Sequence, residues 1–176
     1  MKRKALIFVD EGFEDSELIY PYYRLQEAGF EVYFIASEAN KVYAGKKGTL
    51  ITSHLSPKTN LNIDEYDVII IPGGRAPDKM RMNKELVALI KEAFNKGKII
   101  GAICHGPQML IEADIVRGRK VTGYKSISTD LKNAGANFID APVVVDGNII
   151  TSRKPDDLPY FCKEIINATS KMEVNV

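Results

Sequence analysis

The sequence predicts an α/β fold built on a mostly parallel sheet with helices on both faces, and three observations carry that expectation. Short apolar runs alternate with stretches of helical spacing along the chain. Two of those runs, Tyr66–Ile71 and Lys98–Ile103, lack apolar/polar alternation, as strands buried on both faces do. Three runs are followed directly by polar or glycine-rich segments, at Asp10–Glu17, Pro72–Asp78 and Cys104–Gly106. In parallel sheets reactive groups gather beyond the carboxyl ends of the strands, so these segments are expected to converge.

In order, Ala5–Val9 reads as the first strand. An acidic turn from Asp10 to Asp15 follows, with Ser16 or Asp15 as N-cap of a helix that stops at Gly29. Pro21 sits inside that pattern, which predicts a bent first turn or a regular helix beginning only at Tyr20. Glu31–Ala36 is the second strand; Val42–Ala44 and Leu50–Ser53 form a peripheral hairpin around Gly45-Lys-Lys-Gly48. After Tyr66–Ile71, Lys84–Lys96 has helical spacing, capped by Asn83 and stopped by Gly97. Lys98–Ile103 leads into a helix over Gly106–Ala113, where Pro107 is tolerated because its missing N–H would have no partner in a first turn. Lys120–Gly123 is a strand, and Ser128 caps a helix over Thr129–Ala134. Asp146-Gly147 between β-branched runs (Pro142–Val145, Asn148–Ser152) is the strongest hairpin signal, and Asp156–Ala168 closes the chain as an amphipathic helix.

A chain of 176 residues is expected to form a single domain, 1–176, burying about 70% of its unfolded surface. Its 45% hydrophobic and 27% charged residues are ordinary for a globular protein, and a net charge of +1 gives no reason to expect nucleic-acid or membrane partners. The apolar run Ala5–Val9 meets Asp10 and Glu11 too soon for a signal segment or a membrane span. Two cysteines make no disulfide framework and point to a reducing, cytoplasmic location.

Cys104 sits where a buried strand turns into a helix, between the small residues Ala102 and Gly106. Serine hydrolases present their nucleophile on such a bend. A free cysteine is only about 3% thiolate at pH 7; at a helix N-terminus its pKa is expected to fall by roughly one unit or more. A small buried hydrophobe is the commoner role for such a cysteine. The adjacent His105 and the strand-to-helix setting together favour a nucleophile. A neighbouring histidine needs a carboxylate to orient it, and Glu11, Glu14, Glu17 and Asp78 are the candidates. Glu17 enters the first apolar turn with Leu18 and Ile19, and is expected half-buried, neutral and hydrogen-bonded to the sulfur. Gly73-Gly74 permits a backbone N–H to approach a reacting carbonyl, and reads equally as a plain turn.

No cofactor is expected. Pro72–Pro77 lacks a dinucleotide-loop spacing, there is no phosphate loop, and two histidines without C-x-x-C or H-x-x-x-H argue against a zinc site. His54 lies in a polar stretch and should face solvent. Cys162, spaced among Leu158, Phe161, Ile165 and Ile166, should be a packed thiol. Tyr20, Tyr22, Tyr23 and Tyr124 serve a pocket, an interface or the core.

The segments F-E-D-S-E-L-I-Y-P-Y (13–22), I-I-P-G-G-R-A-P (70–77), A-I-C-H-G-P-Q-M-L (102–110), R-G-R-K-V-T (117–122) and V-V-V-D-G-N (143–148) resemble the PfpI-type intracellular protease family, of the superfamily containing the Parkinson-associated deglycase. The resemblance spans about Ala5 to Ile166. It implies a flavodoxin-like, class I glutamine amidotransferase-like three-layer sandwich. It implies Cys104 as nucleophile with His105 beside it, Glu17 as a protonated acid next to the sulfur, and the N–H groups of Gly74 and His105 as an oxyanion hole. Asp78 falls where such enzymes place a glutamate reaching a neighbouring subunit's histidine; being one methylene shorter, it departs from that pattern. Tyr124 falls at a pocket position filled by Tyr or His. Dimers that can assemble into hexamers are implied.

The resulting expectation is a cysteine hydrolase acting on peptides, on methylglyoxal or glyoxal adducts of amines and thiols, or on both. The alternative is a non-enzymatic redox sensor or holding chaperone with an oxidisable Cys104. A glutaminase is disfavoured, because no histidine follows His105.

Overall fold

The computed structural model describes residues 2–174; Met1 and residues 175–176 of the expected domain lie outside them. Six strands form the central sheet: β1 (Arg3–Phe8), β2 (Phe30–Ile35), β5 (Val68–Ile71), β6 (Ile99–Ile103), β9 (Val143–Asp146) and β10 (Ile149–Ser152), in the order β2-β1-β5-β6-β10-β9. Every pairing is parallel except the β9–β10 hairpin at the edge, where Asp146-Gly147 makes the expected turn and Gly147 has φ +59°. The three-layer, mostly parallel expectation is therefore met. The runs read as doubly buried are so: all of β5 and all of β6 lie in the core.

The chain leaves β1 toward β2 through α1 (Asp15–Glu27), and leaves β5 toward β6 through α2 (Ala76–Met80) and α3 (Lys84–Asn95). Right-handed crossovers running outward in opposite directions fall on opposite faces of the sheet. Accordingly α1 packs with α6 (Leu158–Val174), while α2 and α3 pack with α4 (Pro107–Glu112). The strand order reverses between β1 and β5, which opens a crevice beyond their carboxyl ends. The two loops there are stitched together: Glu14 N–H donates to Gly73 O (3.2 Å), Arg75 N–H to Gly12 O (2.9 Å), and Phe13 bridges Gly74.

The small hairpin β3 (Val42–Ala44) and β4 (Leu50–Thr52) forms as expected, and Asn83 caps α3 by accepting from Glu85 and Leu86 N–H. Several boundaries differ. Helix α1 is regular from Asp15, straight through Pro21. Pro21 is buried with Leu18 and Leu25 on one face, so tertiary packing offsets the single backbone bond it removes. Neither Asp15 nor Ser16 caps that helix. Asp15 is helical, and its carboxylate is committed instead to Lys47 N–H and Thr49 N–H, both at 2.9 Å. Ser128 likewise does not cap. It begins α5 (Ser128–Asn133) directly after a 3-10 turn over Lys125–Ile127. The strand at 120 stops at Val121 as β7 (Lys120–Val121), paired with a short β8 (Asn137–Phe138) that carries too few residues to register as a pattern. A 3-10 turn, Pro155–Asp157, occupies the expected start of the last helix. No described helix is long and apolar enough to cross a membrane.

Candidate active site

Beyond Ile103 the chain bends at Cys104, which has φ +62°, a conformation that costs an ordinary L-residue about 1–2 kcal/mol. The bend is held from both sides. Cys104 N–H donates to Ser152 O (3.0 Å), and Cys104 O accepts from Tyr124 N–H (2.8 Å). Gly106 is required, since a Cβ there would run into the Ile71 carbonyl oxygen. The sulfur is thus presented toward the crevice rather than into the sheet. It lines a cavity of about 610 Å3 together with Glu14, Lys46, Gly74, Asp78 and His105.

Glu17 lies beneath this floor, fully buried rather than half-buried. Gly73 N–H donates to its Oε1 at 2.8 Å, while its Oε2 has no hydrogen-bond partner. Burial, opposed by the Gly73 N–H and reinforced by the charge of Glu14, pushes the carboxyl up to about 8, so it holds its proton at neutral pH. A Cβ on Gly73 would fall 2.7 Å from Glu17 Oε1, 2.8 Å from Cys104 Cβ and 2.9 Å from His105 N. Gly73 is therefore no plain turn residue: its missing side chain is what lets the acid approach the elbow.

The ionisation of the thiol differs from the sequence expectation. Burial, then the negative charge of Glu17, push Cys104 up to about 12, against the pull of the His105 and Gly74 N–H groups. Helix α4 is a single short piece, and its dipole does not outweigh removal of the sulfur from water. At rest Cys104 is a thiol with two backbone donors aimed at it. Protonation of Glu17 removes the second-largest of the opposing causes and leaves burial and the smaller contribution of Glu14.

His105 Nδ1 lies 3.4 Å from Cys104 Sγ, Nε2 lies 3.4 Å from Ser126 Oγ, and the ring stacks on Tyr124 with centroids 4.9 Å apart. Burial, then the charge of Lys46, hold its pKa below the usual histidine value, so it is neutral and able to accept a proton. Among the described residues no carboxylate bonds to the ring. Asp78 is exposed and lines the cavity without reaching His105. Glu11 instead accepts from Ala44 N–H (3.2 Å), and Glu14 pairs with Lys46 (3.1 Å).

Sequence reasoning missed Lys46 and Ser126. Lys46 is delivered by the tip of the β3–β4 hairpin, which Asp15 clamps to α1; a Cβ on Gly45 would sit 2.6 Å from Asp15 Oδ1. The G-K-K-G turn marked a hairpin, but nothing local marked where its tip lands. His54 is exposed, as expected, although its Nδ1 also accepts Phe34 N–H (2.9 Å). Cys162 is packed, as expected. No cluster of three or more potential metal ligands exists among the described residues.

A flavodoxin-like sandwich with a cysteine on a strained elbow at the carboxyl edge of its sheet defines the structural class. Residues 3–168 match the DJ-1/PfpI family, and the chain belongs to it. It is 46% identical to Deglycase PfpI of Pyrococcus furiosus over 93% of this chain and 97% of that one. It is 41% identical to a protein of Bacillus subtilis named putative cysteine protease YraA, over 95% and 98% of the two chains. A two-domain crystal structure from Anabaena variabilis, with DJ-1/ThiJ/PfpI-like and ferritin-like domains, superposes with a TM-score of 0.93 at 44% identity. That alignment covers 96% of this chain and 48% of the other, so this chain spans about half of the two-domain protein.

Proposed function

We propose that this protein is a PfpI-type cysteine hydrolase acting on carbonyl-derived adducts of amines and thiols, on peptides, or on both. The observation that carries the reading is the grouping at Cys104: a thiol at φ +62° on a cavity floor, a neutral histidine nitrogen at 3.4 Å, and a protonated buried acid behind it. The names of the relatives, deglycase and putative cysteine protease, support the same class.

In the mechanism, the substrate's electrophilic carbon settles against Sγ. His105 Nδ1 takes the thiol proton as the sulfur attacks, so the thiolate exists only as it reacts. The Gly74 and His105 N–H groups receive the developing oxyanion; one such donor contributes roughly 10^2–10^3 in rate. The C–N or C–S bond to the amine or thiol then breaks as His105 gives that group the proton, leaving an acyl or hydroxyalkyl group on Sγ. Water adds at its carbon, the C–Sγ bond breaks, and the carboxylic acid or hydrated dicarbonyl leaves with the thiol restored. Glu17, still protonated, can turn the hydroxyl at its unpartnered Oε2 toward the sulfur while it carries charge, and adds no repulsion. His105 needs a partner for its positive form. We assign that to Asp78 of a second copy in a dimer or higher assembly, and place the protein in the cytoplasm, where its two buried cysteines stay reduced.

The test incubates wild type and Cys104→Ala with methylglyoxal-treated N-acetyl amino acids and, separately, with a fluorogenic peptide. Release of free amino acid or fluorophore by wild type and its loss in the variant is expected. Equal turnover by the two proteins would sink the reading, and so would inactivity of wild type on both substrates.

A further inference from the structure

The segment 123–128 stands between two cavities. Toward the candidate active site it contributes the Tyr124 ring against His105 and Ser126 Oγ at 3.4 Å from Nε2. On its other side lies a second cavity of about 630 Å3, in whose lining Tyr124 also takes part. The character of this second space is cationic: Lys125, Lys132, Arg153 and Lys154 line it, with Asp140 as the one acid among the lining residues. Asp140 is already engaged, accepting from Arg153 Nη1 at 2.9 Å, and Arg153 is further tied to the buried Asp157 through Nε at 3.0 Å. Lys132 rests over the Phe138 ring at 5.9 Å. Lys125 and Lys154 are exposed and form no ion pair among the described residues, although both attract the Asp140 carboxylate at longer range. The placement is fixed relative to the nucleophile, because the residue preceding Lys125 donates its N–H to the Cys104 carbonyl.

We propose that this second cavity is an anion subsite: it holds a phosphate or carboxylate carried by the amine or thiol that the Cys104 reaction releases. The inference rests on the hydrolase reading and narrows its substrates to adducts with an anionic leaving portion. A substrate bound in both cavities passes Tyr124, whose exposed ring offers an apolar surface for the linker. Exposed ammonium groups outside any close ion pair favour an anion most at low ionic strength, where screening is weakest.

The experiment uses three methylglyoxal hemithioacetals that differ only in the thiol's tail: N-acetylcysteamine (neutral), 3-mercaptopropionate (carboxylate) and 2-mercaptoethyl phosphate. The expected kcat/KM is roughly tenfold higher for the anionic tails at low salt. That ratio falls toward one in Lys125→Gln/Lys154→Gln and in high salt. The two anionic arms show which oxyanion is preferred. A wild-type ratio within about twofold of one, or a ratio the double variant leaves intact, overturns the subsite. If wild type turns over none of the three, the hydrolase reading fails instead. Lysine acetylation read by mass spectrometry then decides the subsite alone: inorganic phosphate or acetate should slow labelling at Lys125 and Lys154 relative to exposed Lys58. Equal protection of all three lysines overturns it.

Discussion

The two cysteines of this chain are nearly matched in burial, 8% exposed at Cys104 and 2% at Cys162, and burial pushes both thiols up to about 12. What differs is the company each keeps. Cys162 sits inside α6, between Phe161 and Ile165, where the charge of Arg24 only partly offsets its burial. Cys104 sits on a left-handed bend at a cavity wall, with a histidine nitrogen, a carboxyl group and two amide N–H groups around it. On the proposed function, reactivity is not a matter of how acidic the resting thiol is. It depends on whether groups stand ready to accept its proton and to hold the charge that appears on attack.

The largest effect expected from that contrast is on turnover. Cys104→Ala should lower kcat/KM by about 10^4 or more, as loss of a nucleophile does. Cys162→Ala should stay within about twofold of wild type. Comparable losses in the two variants would mean that packing, rather than the surroundings of Cys104, explains the activity.

Next is the acid. Glu17→Gln keeps an acceptor for Gly73 N–H but neither ionises nor gives up a proton, and kcat should fall by roughly 10^2. Alkylation by iodoacetamide separates its charge from its proton. Above pH 8, where wild-type Glu17 is ionised and repels the thiolate, the Gln variant should label faster at Cys104. Labelling of Cys162 should be unchanged by the same substitution. Equal rates at Cys104 in both proteins at pH 9 would remove Glu17 from control of the sulfur.

The same carboxyl leaves a thermodynamic signature. Its ordinary value of 4.5 rises to about 8 on folding. Below pH 4.5 it is protonated in both states and its contribution to stability is fully present. Between 4.5 and 8 the unfolded chain loses the proton while the native state keeps it, so stability falls as pH rises; above 8 the loss is complete. At about 1.4 kcal/mol per pKa unit the total is a few kcal/mol. Urea unfolding of wild type and Glu17→Gln at pH 5, 7 and 9 measures it. The difference between the two proteins should change across that range, and a constant difference would contradict the raised value.

Much of this contrast was legible in the sequence because its causes are local. Ile99–Ile103 followed by Cys104, Gly106 and Pro107 spells a buried strand, a sharp bend and a helix start within a few residues. Glu17 beside Leu18 betrays a carboxyl carried inward on an apolar helix face. What stayed hidden depends on distant segments. Ser126 meets His105 across 21 residues of separation, and Lys46 meets Glu14 across 32. No spacing rule reports either. The sequence points the wrong way on the Cys104 shift for a physical reason: the dipole of a short helix is a local property, whereas burial is set by the whole fold.

Asp15 tests one of those distant links as a positioning residue. Its burial would raise its pKa, but the Thr49 hydroxyl and the Lys47 and Thr49 N–H groups outweigh that and hold it below the usual aspartate value. It clamps the hairpin turn that carries Lys46 over the cavity. Asp15→Ala should raise KM by about three- to tenfold with little change in kcat, an effect of roughly 1 kcal/mol. Asp15→Asn, which keeps one acceptor, should recover part of the loss. A drop in kcat with KM unchanged would point to general disorder of the site instead.

The smallest effect belongs to Cys162. Shortening it to Ala removes a buried sulfur from among Phe161 and Ile165, and should cost about 1 kcal/mol, or about 2–4 °C in Tm for a chain of this size. Cys162→Ser should cost more than Ala, because a hydroxyl in that packing has no partner to replace the water it leaves. At Cys104 the order should reverse. A serine there faces His105 Nδ1 and the Gly74 N–H, so Cys104→Ser should be at least as stable as Cys104→Ala. Thermal unfolding of the four variants reads the polarity around each sulfur with turnover left out. The same order at both positions would mean that the two thiols share one kind of environment.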